Sequence, residues 1–123
     1  MSSPEVIGKQ FVAAFYQTFD TNRAGLAPLY GQGAMLSYEG ELFSGQEAIV
    51  QKLTSLPFQT IVHQVTTHDF HLTVDGGLLV TVVGQLKADS DPIHGFTEVF
   101  YLKQVGDGLF VFNDIFRLAL HHQ

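Results

Sequence analysis

The chain has no cysteine and no tryptophan, and six Lys and Arg stand against twelve Asp and Glu. Without cysteine there is neither a disulfide framework nor thiolate chemistry, which fits a reducing compartment. A formal charge of -6 with no run of basic residues removes the electrostatic footprint that nucleic acid or an anionic lipid surface requires, so the expected partner is basic or neutral. No apolar stretch approaches the about 18 residues of a membrane span. Met1-Ser2-Ser3-Pro4-Glu5 lacks the basic-then-apolar pattern of a secretion leader, so neither membrane insertion nor secretion is expected. There is no internal repeat, linker or low-complexity stretch, and residues 1–123 read as one domain around one core.

Apolar side chains are plentiful: 46% of the residues are hydrophobic, eleven are Phe and four Tyr, and 15% are charged. That balance opposes disorder. It also supplies more apolar surface than a small monomer hides, which calls for a self-association face or an apolar pocket.

Ser3-Pro4-Glu5 reads as a helix start, with Ser as cap, Pro in the first turn and Glu facing the positive end of the dipole. Val6, Ile7, Phe11, Phe15 and Phe19 then recur at helical period, until Asp20-Thr21-Asn22 breaks the run. A short helical segment is expected over Arg23 to Leu29, and another over Gln46 to Leu56, stopped by Pro57. Ala34 to Tyr38 and Glu41 to Phe43 flank Glu39-Gly40 as a hairpin. Beyond Pro57 come four β-rich runs, Thr60 to Leu72, Leu78 to Lys87, Phe96 to Val105 and Leu109 to Leu120. Asp75-Gly76-Gly77 and Gly106-Asp107-Gly108 join them in pairs as antiparallel hairpins. The fold class is α+β, with helices covering one face of an antiparallel sheet. On the strand through Val80 and Val82 the alternating residues Leu79, Thr81 and Val83 leave both faces apolar, and pairing of two sheets into a homodimer would bury the second.

Four stretches in order along the chain carry a specific resemblance. Gln17-Thr18-Phe19-Asp20-Thr21-Asn22-Arg23 and Ser55-Leu56-Pro57-Phe58-Gln59 resemble helix ends of the nuclear transport factor 2 family. Gly84-Gln85-Leu86-Lys87-Ala88-Asp89-Ser90-Asp91-Pro92 is similar to its acidic loop, and Val111-Phe112-Asn113-Asp114-Ile115-Phe116-Arg117-Leu118 to its last strand. The resemblance runs over roughly Ile7 to His121. It implies a cone of curved antiparallel sheet and helices around an apolar cavity, paired through the sheet into a homodimer. It also implies a carrier without catalysis, cofactor or metal that takes the GDP-bound GTPase Ran into the nucleus. Such a carrier occupies cytoplasm and nucleus, concentrated at nuclear pores.

In that family an aromatic side chain of the GTPase enters the cavity mouth and acids around the rim pair with its basic residues. By motif, the implied rim here is Glu39, Asp89 and Asp91, and the implied cavity lining is Tyr38, Leu56, Ile61, His94, Ile115 and Phe116. An extended backbone would point Asp89 and Asp91 the same way. Tyr38 stands where a larger aromatic is common and His94 where an aliphatic residue is common, which makes the mouth more polar. The family also binds FxFG repeats of nucleoporins through aromatic residues near the start of the first helix, where this chain has Pro4.

Two other readings compete. Enzymes of the same cone shape, isomerases and dehydratases, place an Asp or His in the cavity as general base, and the candidates are Asp114, on the strand face of Phe112 and Phe116, with His63 or Asp69. Asp114 reads rather as structural, with Arg117 and backbone donors nearby; an enzyme would need a second titratable group facing it. A dimerisation scaffold without Ran binding is the third reading. A metal is not expected: on one strand His63 and His71 would share a face but lie about 26 Å apart, with His68 opposite. His121 and His122 are adjacent in the tail. Gly76-Gly77 and Gly106-Asp107-Gly108 serve turns and open no phosphate-binding helix.

Overall fold

The computed structural model describes residues 3–119, so Leu120 and the pair His121 and His122 lie outside the described residues. Helix α1 spans Pro4–Thr21, and its start follows the local chemistry: Ser3 Oγ accepts from Val6 N at 3.1 Å, Pro4 opens the first turn and Glu5 sits within it. The helix buries Gly8, Val12, Phe15, Tyr16 and Phe19. Val6, expected on that face, is exposed, because the stripe at helical period passes through position 8 rather than 6. Phe15 meets Phe100 at 4.8 Å between centroids and Phe11 meets it at 5.0 Å; each buried Phe contributes roughly 1.5–3 kcal/mol. Gly8 is required for this packing, since a Cβ there would stand 2.1 Å from the Phe70 ring.

A 3-10 helix covers Arg23–Leu29 and buries Leu26. Strands β1 (Tyr30–Tyr38) and β2 (Glu41–Ser44) form the expected hairpin, with Glu39 and Gly40 both at positive φ (52° and 88°) as a two-residue hairpin turn demands. Helix α2 follows over Gln46–Thr54. Then come β3 (Ile61–Leu72), β4 (Leu78–Ala88), β5 (His94–Val105) and β6 (Gly108–Ala119).

The six strands make one sheet in the order β2-β1-β6-β5-β4-β3. Its neighbours are antiparallel except β1 and β6, which pair in parallel. No turn chemistry marks that joint, because its strands come from opposite ends of the chain. The helices cover the inner face, where Val80, Val82, Phe96, Phe100, Leu102 and Leu36 are buried.

Three irregularities of register decide which side chains face inward. Between Val65 and Thr67 strand β3 carries one extra residue against β4, and one residue of slip reverses every later side chain. His63 therefore pairs with inward Leu86 and His68 with inward Val82, while His71 pairs with Leu79 on the outer face. The sequence reading had His63 and His71 on one face; the bulge corrects it. Among the described residues no group of three metal-ligating side chains forms. A second slip, between Tyr101 and Leu102, lets Val111 take the inner position beside Leu102. Phe112 is thereby displaced, with its ring over Gly31, and does not share a regular face with Asp114 and Phe116 as the sequence suggested. The third lies on β1 between Tyr30 and Met35.

Candidate functional site

The inner face closes around a small cavity. Phe15 and Phe19 of α1, Leu36 and Tyr38 of β1, Leu53 of α2, Ile61 of β3, Leu86 of β4 and Phe116 of β6 wall it, and its free volume is about 10 Å³. That is room for one water molecule at most. At its mouth the Tyr38 ring lies flat on Phe116, centroids 4.7 Å apart and planes 16° apart, with Lys52 Nζ 5.5 Å from the Tyr38 centroid.

Of the six residues expected to line the cavity, Tyr38, Ile61 and Phe116 do so. Leu56 is partly buried against the core outside the lining. His94 begins β5 opposite Leu86, on the inward side of the strand but at its end. Ile115 is a correction: it is 48% exposed on the outer face, because strand alternation cannot turn two successive residues into one cavity.

The three rim acids are placed differently from one another. Glu39 follows Tyr38 in the turn, its backbone N donating to Phe116 O at 3.1 Å and its Oε1 accepting from Leu118 N at 2.5 Å. Asp89 is at positive φ (49°), just past the end of β4, so the extended geometry expected for the Asp89–Asp91 segment does not hold. Its Oδ1 accepts from Thr60 N at 2.8 Å and Gln59 N at 3.0 Å, and these bonds, the Thr60 one foremost, hold its carboxyl below the usual range. Asp91 N closes the turn on Ala88 O at 2.9 Å, and Asp91 is exposed.

Arg23, to which the sequence reading gave no role, spans the same wall from inside. Its Nη1 donates to Leu53 O at 3.1 Å and its Nη2 to Phe58 O at 3.0 Å, with the guanidinium 4.4 Å over the Phe58 ring. Arg23 and Asp89 thus hold the segment between α2 and β3 from its two ends, one through carbonyls and the other through amides. Nothing in the local sequence signals either role, since the partners lie 29 to 35 residues away.

Beneath the mouth lies an acid pair. Glu98 on β5 is 5% exposed and Asp114 on β6 is 1% exposed. Tyr16 OH donates to Glu98 Oε1 at 2.8 Å and Tyr30 OH to Asp114 Oδ2 at 2.7 Å, while Asp114 Oδ1 has no partner among the described residues. Burial pushes both carboxyls up: Glu98 well above its ordinary value, with the Asp114 charge adding to the shift, and Asp114 as well, its neighbours Glu98 and Tyr30 opposing part of the effect of burial. Burial likewise raises Tyr16 and Tyr30, which keeps both as hydroxyl donors, and takes Tyr38 to about 12. His63 Nδ1 donates to Asp20 Oδ1 at 2.6 Å, beside Tyr16 and Phe19.

Asp114 is indeed bound structurally, but its hydrogen-bond partner is Tyr30; Arg117, proposed from the sequence, is exposed. Glu98 is the second titratable group that an enzyme would need, and the sequence reading missed it. Its period-two position between Phe96 and Phe100 was the available signal. The pair nevertheless faces a space with no volume for a substrate. Of the other base candidates, Asp69 pairs with Thr81 at an exposed position and His63 is committed to Asp20.

Comparison with known proteins agrees with this fold. The family model described as the nuclear transport factor 2 domain matches residues 7–118. Nuclear transport factor 2 of Emericella nidulans is 48% identical over 122 residues, covering 96% of this chain and 97% of that protein. The solved structure of nuclear transport factor 2 from Cryptosporidium parvum superposes with a TM-score of 0.90 at 42% identity over 94% of each chain. A putative scytalone dehydratase from Novosphingobium aromaticivorans gives a TM-score of 0.79 at 14% identity, covering 97% of this chain and 89% of that one, a likeness of fold alone. On the family model and these relatives, the chain belongs to the nuclear transport factor 2 family, a family of transport carriers and not of enzymes.

Proposed function

We propose that this protein carries the GDP-bound GTPase Ran through nuclear pores, shuttling between cytoplasm and nucleus and concentrating at the pores. The observation that carries this reading is the conjunction of acids with an aromatic mouth. Glu39 adjoins Tyr38, and Asp89 is bonded to Thr60 next to Ile61, so both acids border residues of the cavity wall. An aromatic side chain of the partner enters between Tyr38 and Phe116, and Asp91 with Glu39 and Asp89 meets basic residues around it. A desolvated aromatic anchor supplies affinity, and the surrounding charges set orientation and association rate. The present volume admits no ring, so insertion requires the Tyr38–Phe116 stack to part.

Two further contacts complete the reading. The outer sheet face, with Leu79, Val83, Ile115 and Met35 exposed, pairs two copies into a homodimer. A groove of about 310 Å³ at the start of α1, walled by Pro4, Ile7, Leu72, Leu78, Leu102 and Leu109, receives a Phe of the FxFG nucleoporin repeats. Its apolar walls take the place of the aromatic residue that this chain lacks there.

Calorimetric titration with Ran loaded with GDP, beside Ran held in a GTP-like state, tests the proposal. Binding to the GDP form alone, at one Ran per subunit and weakened by Asp91→Lys, is expected. No binding of either form to a folded protein overturns it.

A further inference from the structure

Glu98 and Asp114 are diagonal neighbours on adjacent strands: Glu98 stands opposite Phe116 and Asp114 opposite Phe100. Each carboxyl has one oxygen committed to a tyrosine hydroxyl, from Tyr16 on α1 and Tyr30 on β1. That leaves Asp114 Oδ1, deep in the core, without a donor among the described residues. A buried acceptor with no donor costs free energy that a native core rarely tolerates. Its immediate acidic neighbour is able to supply the donor, provided that neighbour is protonated.

The groups facing the pair leave no other source of compensation. From α1 come Tyr16 and Asp20; from β3 comes His63, which lines the same cavity with its Nδ1 committed to Asp20; from β1 come Tyr30 and Tyr38. Strand β4 and helix α2 present Val82, Leu86 and Leu53, all apolar. Arg23 reaches only the wall, through the carbonyls of Leu53, Leu56 and Phe58, and no Lys or Arg lines the cavity. Two ionised carboxylates side by side without a countercharge are not sustainable in such a site.

We infer that Glu98 and Asp114 form a one-proton site, in which Glu98 donates its proton to Asp114 Oδ1, and that this proton keeps the cavity floor dry. Retention follows from burial, which raises both groups. When the proton leaves, a second charge stands directly opposite Phe116, and water enters to solvate it. The floor and the mouth share Phe116, whose ring stacks on Tyr38 above, so the hydration of one is tied to the packing of the other. Use of a dry floor by an inserted aromatic ring rests on the carrier reading; the proton site does not.

The test is a carbon-13 NMR titration of the side-chain carboxyls in the full chain, combined with water-to-methyl contacts at Leu53, Ile61 and Leu86. At pH 7 the Glu98 carboxyl is expected to resonate as a protonated acid and Asp114 as a carboxylate. The three methyl groups are expected to show no water contact until the pH passes the Glu98 titration. In Glu98→Gln the amide supplies a donor to Asp114 Oδ1 that does not titrate, so the methyl groups are expected to stay dry at the high pH where those of the unaltered protein gain water contacts. Two ionised carboxyls at pH 7, or identical pH dependence of the water contacts in both proteins, overturns the inference. Should Glu98→Gln not fold, Asp114→Asn makes the same comparison, its amide donating to Glu98 while its oxygen still accepts from Tyr30. Failure of Ran to bind would overturn the carrier reading and leave the carboxyl titration to decide the proton site.

Discussion

The floor and the rim of the cavity use the same chemistry to opposite ends. On the floor, Glu98 and Asp114 are buried and their carboxyls are driven toward the neutral form. On the rim, Asp89 is exposed and backbone amides of Thr60 and Gln59 hold it in the charged form. A carboxylic acid in this protein is therefore a hydrogen-bonding element of the core or a charged feature of the surface according to what surrounds it, and the two sites should respond to mutation and pH with opposite signs.

The sharpest contrast is in stability. Tyr30→Phe removes the donor to Asp114 Oδ2, the one hydrogen bond this buried carboxyl makes among the described residues; a loss of about 1.5–3 kcal/mol is expected in urea unfolding. Tyr16→Phe leaves a Glu98 oxygen short of its donor and should cost less, about 1–2 kcal/mol, since that acid is the neutral member of the pair. If both changes are silent, the floor is not the buried hydrogen-bonded unit described above.

The pH dependence separates the two regions next. Glu98 has a folded pKa above its unfolded one, so the unfolded chain releases a proton that the folded chain keeps. Its contribution is fully present below the unfolded value, about 4.3, and is lost as pH rises toward the folded value. Asp89 has a depressed folded pKa, so its contribution is present above the ordinary Asp range and disappears as pH falls through the folded value. Glu98→Gln should reduce the loss that accompanies rising pH and leave the acid side unchanged, and Asp89→Asn should reduce the loss that accompanies falling pH and leave the other side unchanged, both read from unfolding midpoints across pH.

The smallest stability effect belongs to Asp91. Asp91→Lys should leave the unfolding curve unchanged, because the residue is exposed and its turn is closed by its backbone. It should nonetheless slow association with GDP-bound Ran by about tenfold at low salt and flatten the salt dependence of that rate. An unfolding midpoint that moves while association does not would reverse the assignment of rim and floor.

Much of the framework was legible in local chemistry. Ser3-Pro4-Glu5 set the start of α1, Glu39-Gly40 and Gly106-Asp107-Gly108 set hairpins, and Leu78 to Lys87 alternated as a strand with one face inward. The resemblance brought Tyr38, Ile61 and Phe116 to the mouth, where the structure joins them. It erred at Ile115, and the face assignments of His63, His68, His71 and Phe112 failed where register slips reverse the alternation. A bulge depends on how two strands match over their length, so neither strand alone announces it.

By itself the sequence determined where helices start, where the chain turns, and that an acidic, cysteine-free, Phe-rich chain needs an apolar core. Those properties depend on single residues and their near neighbours. Only the tertiary structure decided that β6 lies parallel to β1, that Glu98 meets Asp114 beneath the mouth, and that Asp89 caps the backbone before β3. Each joins groups far apart in the chain, and their meeting is fixed by the register and packing of the whole sheet, where desolvation gives a carboxyl the properties that its sequence position does not.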